Sequence, residues 1–283
     1  MSLKHYLRMA QKEVHLTGKA ELDSVQHLDV NLQYERNNLI LVYGGSFNPP
    51  HRGHIDVLLS GLRPEVGALA IVVLPCEDYL LRNKMVNSDS GFFLRMQRRA
   101  EVWDVMLAVP KDKVWIWPST YFPFKPMIKA LTRLAMTDGF KVDFLHMIGP
   151  DNLRLQDPLM ILPYISPGIL VSNKARHVAT HFTPGGKPVV WKGFGPWSRG
   201  QCSRSNGVPE NTMEEAVLWT CEGIATQTQN TRRGYYLQFM EPNAIDINST
   251  TIRGLLIESY HVDEINLNQL STTTLLELLA PVL

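Results

Sequence analysis

Short apolar runs alternate along the chain with longer segments in which apolar residues recur every three or four positions. Each run has the length and continuity of a strand that is covered on both faces of a parallel sheet. The runs are residues 39–43, 68–75, 113–117, 142–148, 168–172 and 235–240. Because strands alternate with helices, the pattern predicts an α/β fold made of right-handed crossovers, with a parallel sheet and helices on both faces.

The segments between the runs predict the helices and loops. Apolar spacing and flanking residues predict a helix that begins near His51 and others over 92–107, about 125–137, from about 250, and over 268–279. Residues 77–91 are polar and mixed and are predicted to be a loop at the carboxyl end of the second strand. Residues 213–221 are predicted to form a helical patch within an otherwise irregular stretch.

The same pattern divides the chain into a main domain with two additions. Residues 1–36 show helical periodicity and are predicted to be an N-terminal appendage to a domain of residues 37–283. Residues 173–234 are basic and rich in glycine, serine and asparagine, and they are too many for a connection in a compact domain. They are either an insertion with its own structure or a mobile segment. Solubility, a lid, and localisation or partner binding all remain open as their role.

Composition narrows the class of protein. The 283 residues are 45% hydrophobic and 19% charged, as in ordinary globular proteins. A formal net charge of +1 argues against a broad nucleic-acid surface. Three scattered cysteines indicate neither a disulfide framework nor a metal cluster, and the first 36 residues lack a secretory signal. No stretch approaches the ~18 consecutive apolar residues that are needed to span a bilayer. We therefore expect an intracellular protein, cytoplasmic or nuclear, without membrane or nucleic-acid partners.

Chemistry-bearing residues concentrate directly after the first strand. Glycines at 44 and 45 allow a sharp turn with accessible amides, and prolines at 49 and 50 stiffen the loop. His51 and His54 are three residues apart at the start of a helix, so their rings can converge beside its N-terminal amides. Imidazole donors at a helix N-terminus form an anion site.

Residues 45–54 read Gly-Ser-Phe-Asn-Pro-Pro-His-Arg-Gly-His. This stretch resembles the phosphate-binding motif of the nucleotidyltransferase superfamily, most closely that of the nicotinamide/nicotinate mononucleotide adenylyltransferases. The resemblance covers roughly residues 39–172 and 235–258. It implies a Rossmann-like nucleotidyltransferase domain that binds ATP and transfers its adenylyl group, with backbone contacts from Gly45, Ser46 and Phe47.

A second motif lies at 247–253, Ile-Asn-Ser-Thr-Thr-Ile-Arg. A capped helix that begins near Thr250 would present free amides to an anion, with Arg253 in its first turn. The motif is similar to the family's Ile-Ser-x-Thr-x-Ile-Arg element, although Asn248 stands where a serine is usual. The resemblance implies that Ser249, Thr250 and Arg253 hold the ATP phosphates from the side opposite the histidines.

A third motif, Gly-Pro-Asp-Asn at 149–152, follows the fourth strand. Alone, its aspartate would be a turn residue or a helix cap. It is similar to the family's Gly-x-Asp element, which implies that Gly149 and Asp151 bind the ATP ribose. Lys84 and Arg95 resemble a lysine and a helix-borne arginine that follow the family's second strand and bind substrate. The neighbouring Arg98 and Arg99 are expected on a solvated helix face.

The acceptor site is defined mainly by the resemblance. The family holds a pyridine ring between aromatic side chains, and residues 153–167 offer only Tyr164. Trp117 is the preferred stacking residue, although Trp115 and Trp117 could equally belong to the core. Lys84 would hold the acceptor phosphate. We expect nicotinamide mononucleotide as the first choice of acceptor and nicotinate mononucleotide as the second.

These motifs predict an enzyme that makes NAD and pyrophosphate from ATP and a mononucleotide. The attacking phosphate is already charged, so catalysis needs alignment and charge compensation rather than a strong base. His51, His54 and Arg253 are the predicted catalytic residues, with Mg²⁺ screening the pyrophosphate. Two alternatives remain: a cytidylyltransferase on the same fold, and an ATP-binding or ATP-hydrolysing regulator acting through 173–234. The sequence leaves a homo-oligomer open.

Overall fold

The computed structural model describes residues 1–16, 24–86, 92–119, 121–155, 168–200, 215–224, 232–240, 249–260 and 268–280. Within these ranges the strands are Asn37–Gly45 (β1), Ala68–Pro75 (β2), Val114–Ile116 (β3), Lys141–Ile148 (β4), Gly168–Ser172 (β5), Ser198–Arg199 (β6), Ala216–Glu222 (β7) and Arg233–Phe239 (β8). The α-helices are Leu3–Glu13 (α1), Arg52–Gly61 (α2), Asp78–Met85 (α3), Met96–Val105 (α4), Tyr121–Thr137 (α5), Ser249–Tyr260 (α6) and Thr272–Leu279 (α7). None of the described helices is both long enough and apolar enough to cross a membrane.

The eight strands form one mixed, mostly parallel sheet in the order β3-β2-β1-β4-β5-β8-β7-β6. Strands β1 to β5 and β8 pair in parallel, whereas β7 and β6 extend the sheet in antiparallel fashion. The chain builds outward from β1 to β3 and then returns to place β4 on the other side of β1. Open α/β sheets bind ligands outside the carboxyl ends of the strands where the order reverses in this way.

Both faces of the sheet are covered by helices, as predicted. Leu41 and Tyr43 of β1 pack with one set of helices, and Ile40 and Val42, which point to the opposite face, pack with another. The first set contains α2, α4, α6 and α7, and the second contains α1 and α5. Because central strands buried on both faces need apolar residues at every position, β1 and β2 read as continuous apolar runs.

The described part of the segment 1–36 belongs to the second of these layers. On α1, Leu3, Tyr6, Leu7 and Ala10 are buried among side chains of α5 and the sheet. The Tyr6 hydroxyl also donates to Asp138 Oδ2 at 2.6 Å. The segment predicted to be an appendage therefore contributes side chains to the core over its described residues.

Two of the predictions for the segment after β2 are wrong in part. The expected loop 77–91 contains helix α3, whose Leu81 is buried, with Asp78 in its first turn and basic residues in its last. That charge distribution suits the helix dipole. The helix expected over 92–107 begins only at Met96, since Arg95 has extended backbone angles of φ −60° and ψ 152°.

The prediction for residues 213–221 is also wrong. The described residues Ala216–Glu222 form β7, which pairs in antiparallel register along the length of β8. Its valine, tryptophan and threonine have high strand propensity, and pairing with β8 favours a strand over a helix here. The basic segment 173–234 thus has structure of its own where it is described, and its Trp191 and Phe194 are buried beside Tyr236.

Candidate functional site

The loop from β1 to α2 is held in a tight conformation by its own side chains. Phe47 has a positive φ of 47°, and its ring lies over Gly45, where a Cβ would come within 2.7 Å of two ring carbons. The Gly45 carbonyl accepts a hydrogen bond from the Cys76 amide at 2.8 Å. Glycine is therefore required at position 45 because of this close approach.

The two predicted histidines face each other at the start of α2. His51 is the residue that precedes the helix, and its ring centroid lies 3.7 Å from that of His54 at an interplanar angle of 30°. His51 is only 5% exposed. The Nδ1 atoms of both rings have no hydrogen-bond partner among the described residues. Buried polar atoms are usually hydrogen-bonded, so these two nitrogens are hydrogen-bonding capacity that the described chain leaves unused.

Burial sets the charge of this histidine pair. Desolvation lowers the pKa of His51 to about 4. The pKa of His54 lies well below its ordinary value, mainly through desolvation and also through the nearby charges of His51 and Lys84. Both rings are therefore neutral near pH 7, and each carries one N–H donor. A bound polyanion would raise both pKa values.

An aromatic cluster packs against the histidine pair. The Phe47 ring meets His54 edge to face at a centroid distance of 5.0 Å and contacts Trp103 of α4 at 5.2 Å. Trp103 is fully buried. Rings in this arrangement add directional contacts to their burial, so the orientation of His54 is fixed from the side of the core.

Helix α6 brings the second predicted motif against the same loop. Arg253 Nη1 donates to the carbonyl oxygen of Asn48 at 2.9 Å, and Nη2 donates to Thr250 Oγ1 at 2.9 Å. Ser249 Oγ lies 3.5 Å from the carbonyl oxygen of Pro49. Two segments about 200 residues apart thus meet directly before the histidine pair. Asn248 lies outside the described residues.

The guanidinium of Arg253 is mostly enclosed by these contacts. The residue is 9% exposed, and burial lowers its pKa from the ordinary value. A guanidinium remains charged under such a shift. The structure therefore places a buried positive charge next to the backbone of the histidine loop.

The residues predicted after β2 lie in different surroundings. Lys84 is on α3, is exposed, and its Nζ lies 3.3 Å from Ser46 Oγ. Arg95 is exposed immediately before α4, and its backbone amide donates to Asn268 Oδ1 at 2.8 Å. Lys84 is thus beside the histidine loop, whereas the described contacts of Arg95 tie its backbone to the chain just before α7.

Asp151 lies in a short 3-10 turn, Pro150–Asn152, directly after β4. Because β4 and β1 are parallel neighbours, Asp151 is at the same edge of the sheet as the histidine loop. Its Oδ2 pairs with Arg176 Nη1 at 3.1 Å, and both side chains are about half exposed. Gly149 is extended at φ −71°, and a Cβ there would meet nothing within 4 Å.

Trp117 is not brought to an open surface. The side chain is fully buried and packs against Trp115 and Phe124 at centroid distances of 5.4 and 5.3 Å. This burial counts against stacking of Trp117 on a pyridine ring in this conformation. The surroundings of Trp117 are those expected under the alternative interpretation, in which it belongs to the core. Tyr164 lies outside the described residues.

Three polar residues at this edge have no place in the sequence-based site. Asn48 is buried and holds the loop by donating to the Phe92 carbonyl and accepting from the Leu94 amide, at 3.0 and 2.9 Å. His146 of β4 is buried against Gly44, and burial lowers its pKa to about 4. Arg99 is fully buried rather than solvated as predicted. The helical spacing places Arg99 on a polar face of α4, so it does not predict that this side chain is buried.

No protein-built metal site is found among the described residues, in which no group of three or more histidine, cysteine, aspartate or glutamate side chains could hold an ion. Mg²⁺ commonly binds through substrate phosphates and water with few protein ligands.

A cavity of about 520 Å³ lies elsewhere, against β6, β7 and β8. It contains none of the predicted site residues; its lining is Gly195, Pro196, Ser198, Thr220, Cys221, Glu222, Arg233 and Tyr235.

Comparison with known proteins adds no assignment. No model of a known protein family matches the chain, and no curated protein matches it.

Proposed function

We propose that the chain is a nucleotidyltransferase of Rossmann-like fold that transfers AMP from ATP to nicotinamide mononucleotide. The proposal rests on the family resemblance of three motifs. The observation that carries it is the contact of Arg253 with the carbonyl of Asn48, three residues before His51. Two motifs far apart in sequence are thereby joined around one loop, as a shared triphosphate site requires. The strand order, with its reversal between β1 and β4, supports the fold assignment.

In the proposed reaction a phosphate oxygen of the mononucleotide attacks the α-phosphorus of ATP. A new P–O bond forms there, the bond from the α-phosphorus to the oxygen that bridges to the β-phosphate breaks, and pyrophosphate leaves with the bonding electrons. The nucleophile is already ionised, so the chain's task is to align the two anions and to compensate their charge.

Each predicted residue has a defined part in that task. His51 and His54 donate neutral N–H groups to the α- and β/γ-phosphates, and they gain protons as anionic charge collects beside them. Arg253, Ser249 and Thr250 hold the β- and γ-phosphates at the N-terminus of α6. Lys84, exposed beside Ser46, attracts the acceptor phosphate. Asp151 exchanges its Arg176 partner for the ribose hydroxyls of ATP. Mg²⁺ arrives with ATP as part of the substrate.

The first experiment incubates the pure protein with ATP, Mg²⁺ and either nicotinamide or nicotinate mononucleotide, and measures dinucleotide and pyrophosphate. Dinucleotide formation with a preference for the nicotinamide substrate is expected. Preference for CTP and an alcohol phosphate would instead indicate a cytidylyltransferase. Phosphate release without a dinucleotide would indicate an ATP-hydrolysing regulator.

The second experiment replaces a member of the histidine pair. His54→Ala is expected to lower kcat by ~10²–10³, the usual loss when one preorganised donor to a transition state is removed. His27→Ala, at an exposed position outside the site, is the matched control and keeps the wild-type kcat. Adenylyl transfer by His54→Ala at a near-normal rate would refute the assignment.

A further inference from the structure

Arg99 connects three segments at the edge of the sheet that carries the histidine pair. Its guanidinium donates to the carbonyl oxygens of Ser46, Cys76 and Leu94 at 2.6, 2.7 and 2.9 Å. These acceptors follow β1, follow β2 and precede α4. Nη2 also donates to Asp78 Oδ1 at 2.9 Å, which places a carboxylate beside the buried charge.

The burial of this arginine makes its contacts specific. A buried charge is tolerated only when it is paired and hydrogen-bonded, and Arg99 meets both conditions with 0% exposure. A guanidinium is a rigid planar fork of donors. The relative positions of the three segments are therefore set by the geometry of one side chain.

The bond to Ser46 also fixes a peptide group of the histidine loop. Because a trans peptide is planar, its C=O and N–H point in opposite directions. With the Ser46 carbonyl directed at Arg99, the Phe47 N–H points away from Arg99. The Gly45 carbonyl accepts from the Cys76 amide at 2.8 Å, which turns the Ser46 N–H away from β2 in the same manner.

The two amides oriented in this way are not used by the described chain itself. Across the residues that the structure describes, neither the Ser46 nor the Phe47 N–H donates a hydrogen bond. Phe47 has a left-handed φ of 47°, and successive N–H groups around a left-handed residue form concave sites for anions.

We infer that Arg99 is a positioning residue: by holding the Ser46 carbonyl it keeps the Ser46–Phe47 amide pair directed at an anion. The identity of that anion as the triphosphate of ATP rests on the proposed function. The orientation of the loop does not, because it follows from the hydrogen bonds of the chain itself.

The adjacent arginine provides a matched control. Arg98 is on the same helix and is partly buried, but it pairs with Glu101 and donates to the Leu270 carbonyl at 2.5 Å. Glu101 and Leu270 both lie outside the histidine loop. Loss of Arg98 therefore removes a partly buried cation from α4 without removing the bond to Ser46.

The test compares Arg99→Lys, Arg99→Met and Arg98→Met with the wild type. Hydrogen–deuterium exchange of the peptide covering 70–78 and thermal unfolding are measured without nucleotide, and kcat is measured with ATP, Mg²⁺ and nicotinamide mononucleotide. This peptide contains the Cys76 amide that donates to the Gly45 carbonyl, so its exchange reports how firmly the histidine loop is held. Lysine keeps the charge opposite Asp78 but lacks the fork of donors. Both Arg99 variants are expected to exchange faster over 70–78, and Arg99→Lys to lose about 10²-fold in kcat, the usual effect of a reacting group misplaced by about 1 Å. Arg98→Met keeps wild-type exchange over 70–78 and wild-type kcat.

Several outcomes overturn the inference. A folded Arg99→Lys protein with wild-type exchange over 70–78 and wild-type kcat does so. If both Arg99 variants fail to fold while Arg98→Met folds, Arg99 serves folding rather than positioning, and the inference again falls. If the wild type forms no dinucleotide with either mononucleotide, the proposed function fails. The exchange measurement, which needs no nucleotide, then decides the role of Arg99 alone.

Discussion

Gly45 and Phe47 show at the level of single residues how the histidine loop is stabilised. A left-handed backbone costs a residue with a side chain roughly 1–2 kcal/mol, and Phe47 adopts it with φ 47°. Its ring is held between His54 and Trp103 and occupies the space over Gly45. Aromatic packing therefore offsets the backbone strain, and the position of His54 depends on it.

Gly45→Ala tests this packing. A Cβ would lie 2.7 Å from two carbons of the Phe47 ring, so the ring or the loop must move. We expect a loss of about 1–3 kcal/mol in the free energy of unfolding, the usual cost of overpacking. Urea denaturation measures it. Gly149→Ala is the control, because a Cβ there meets nothing within 4 Å and its φ of −71° suits alanine. Equal effects of the two substitutions would contradict the steric argument.

The residues that sequence alone identifies are those whose spacing carries chemistry. His51 and His54 are recognisable because a helix start brings residues three apart together, and the structure stacks their rings. Arg99 was not recognisable, since a helix face with three arginines indicates solvent exposure. Its burial depends on the carbonyls of Ser46 and Cys76, which lie in two loops distant in sequence. The sequence around Arg99 contains no pattern that indicates these contacts. Trp117 illustrates the same limit, because stacking on a ligand and packing in the core require the same residue type.

At the level of elements, strands were predictable and their partners were not. The predicted runs 68–75 and 168–172 match β2 and β5 to the residue. Continuous apolar runs between glycines, prolines and polar residues specify such strands locally. Strand β7 was predicted as a helix, since its fate depends on pairing with β8. The late start of α4 has a similar cause, because Asn48 holds the backbone of residues 92 and 94.

Helix α1 provides a test at this level. Leu7 is 1% exposed in the layer that α1 forms with α5. Leu7→Ala is therefore expected to lower the free energy of unfolding by about 2–5 kcal/mol, the usual cost of truncating a buried leucine. Met9→Ala on the same helix, at a position 41% exposed, is the control and leaves stability nearly unchanged. Chemical denaturation distinguishes the two variants. If Leu7→Ala is as stable as Met9→Ala, α1 is a peripheral addition after all.

At the level of the whole molecule, buried histidines connect stability to pH. Desolvation lowers the pKa values of His51, His54, His146 and His181. In the unfolded chain a histidine titrates near 6.5, so below that pH the unfolded state binds protons that the folded state does not. The contribution of these residues to the free energy of unfolding is therefore fully present above about pH 6.5, and it decreases as the pH falls toward their pKa values in the folded state.

His51 allows this dependence to be measured. Its folded pKa of about 4 predicts a loss of about 2 kcal/mol in unfolding free energy between about pH 7 and pH 5. Urea denaturation at several pH values should show that His51→Gln reduces this loss by a similar amount. His27→Gln, at an exposed position, should retain the full loss. Parallel pH profiles for the wild type and His51→Gln would show that His51 is protonated equally in both states.

The lengths of the outer strands affect how the molecule behaves in a crowded solution. The sheet ends at β3 on one side and at β6 on the other, with three and two residues. An open sheet edge is a template for aggregation, because its unpaired amides and carbonyls can recruit a strand from another molecule. In the described part of the chain, each border strand is therefore only a short template for such pairing. The fold thereby places its longer strands inside these short borders.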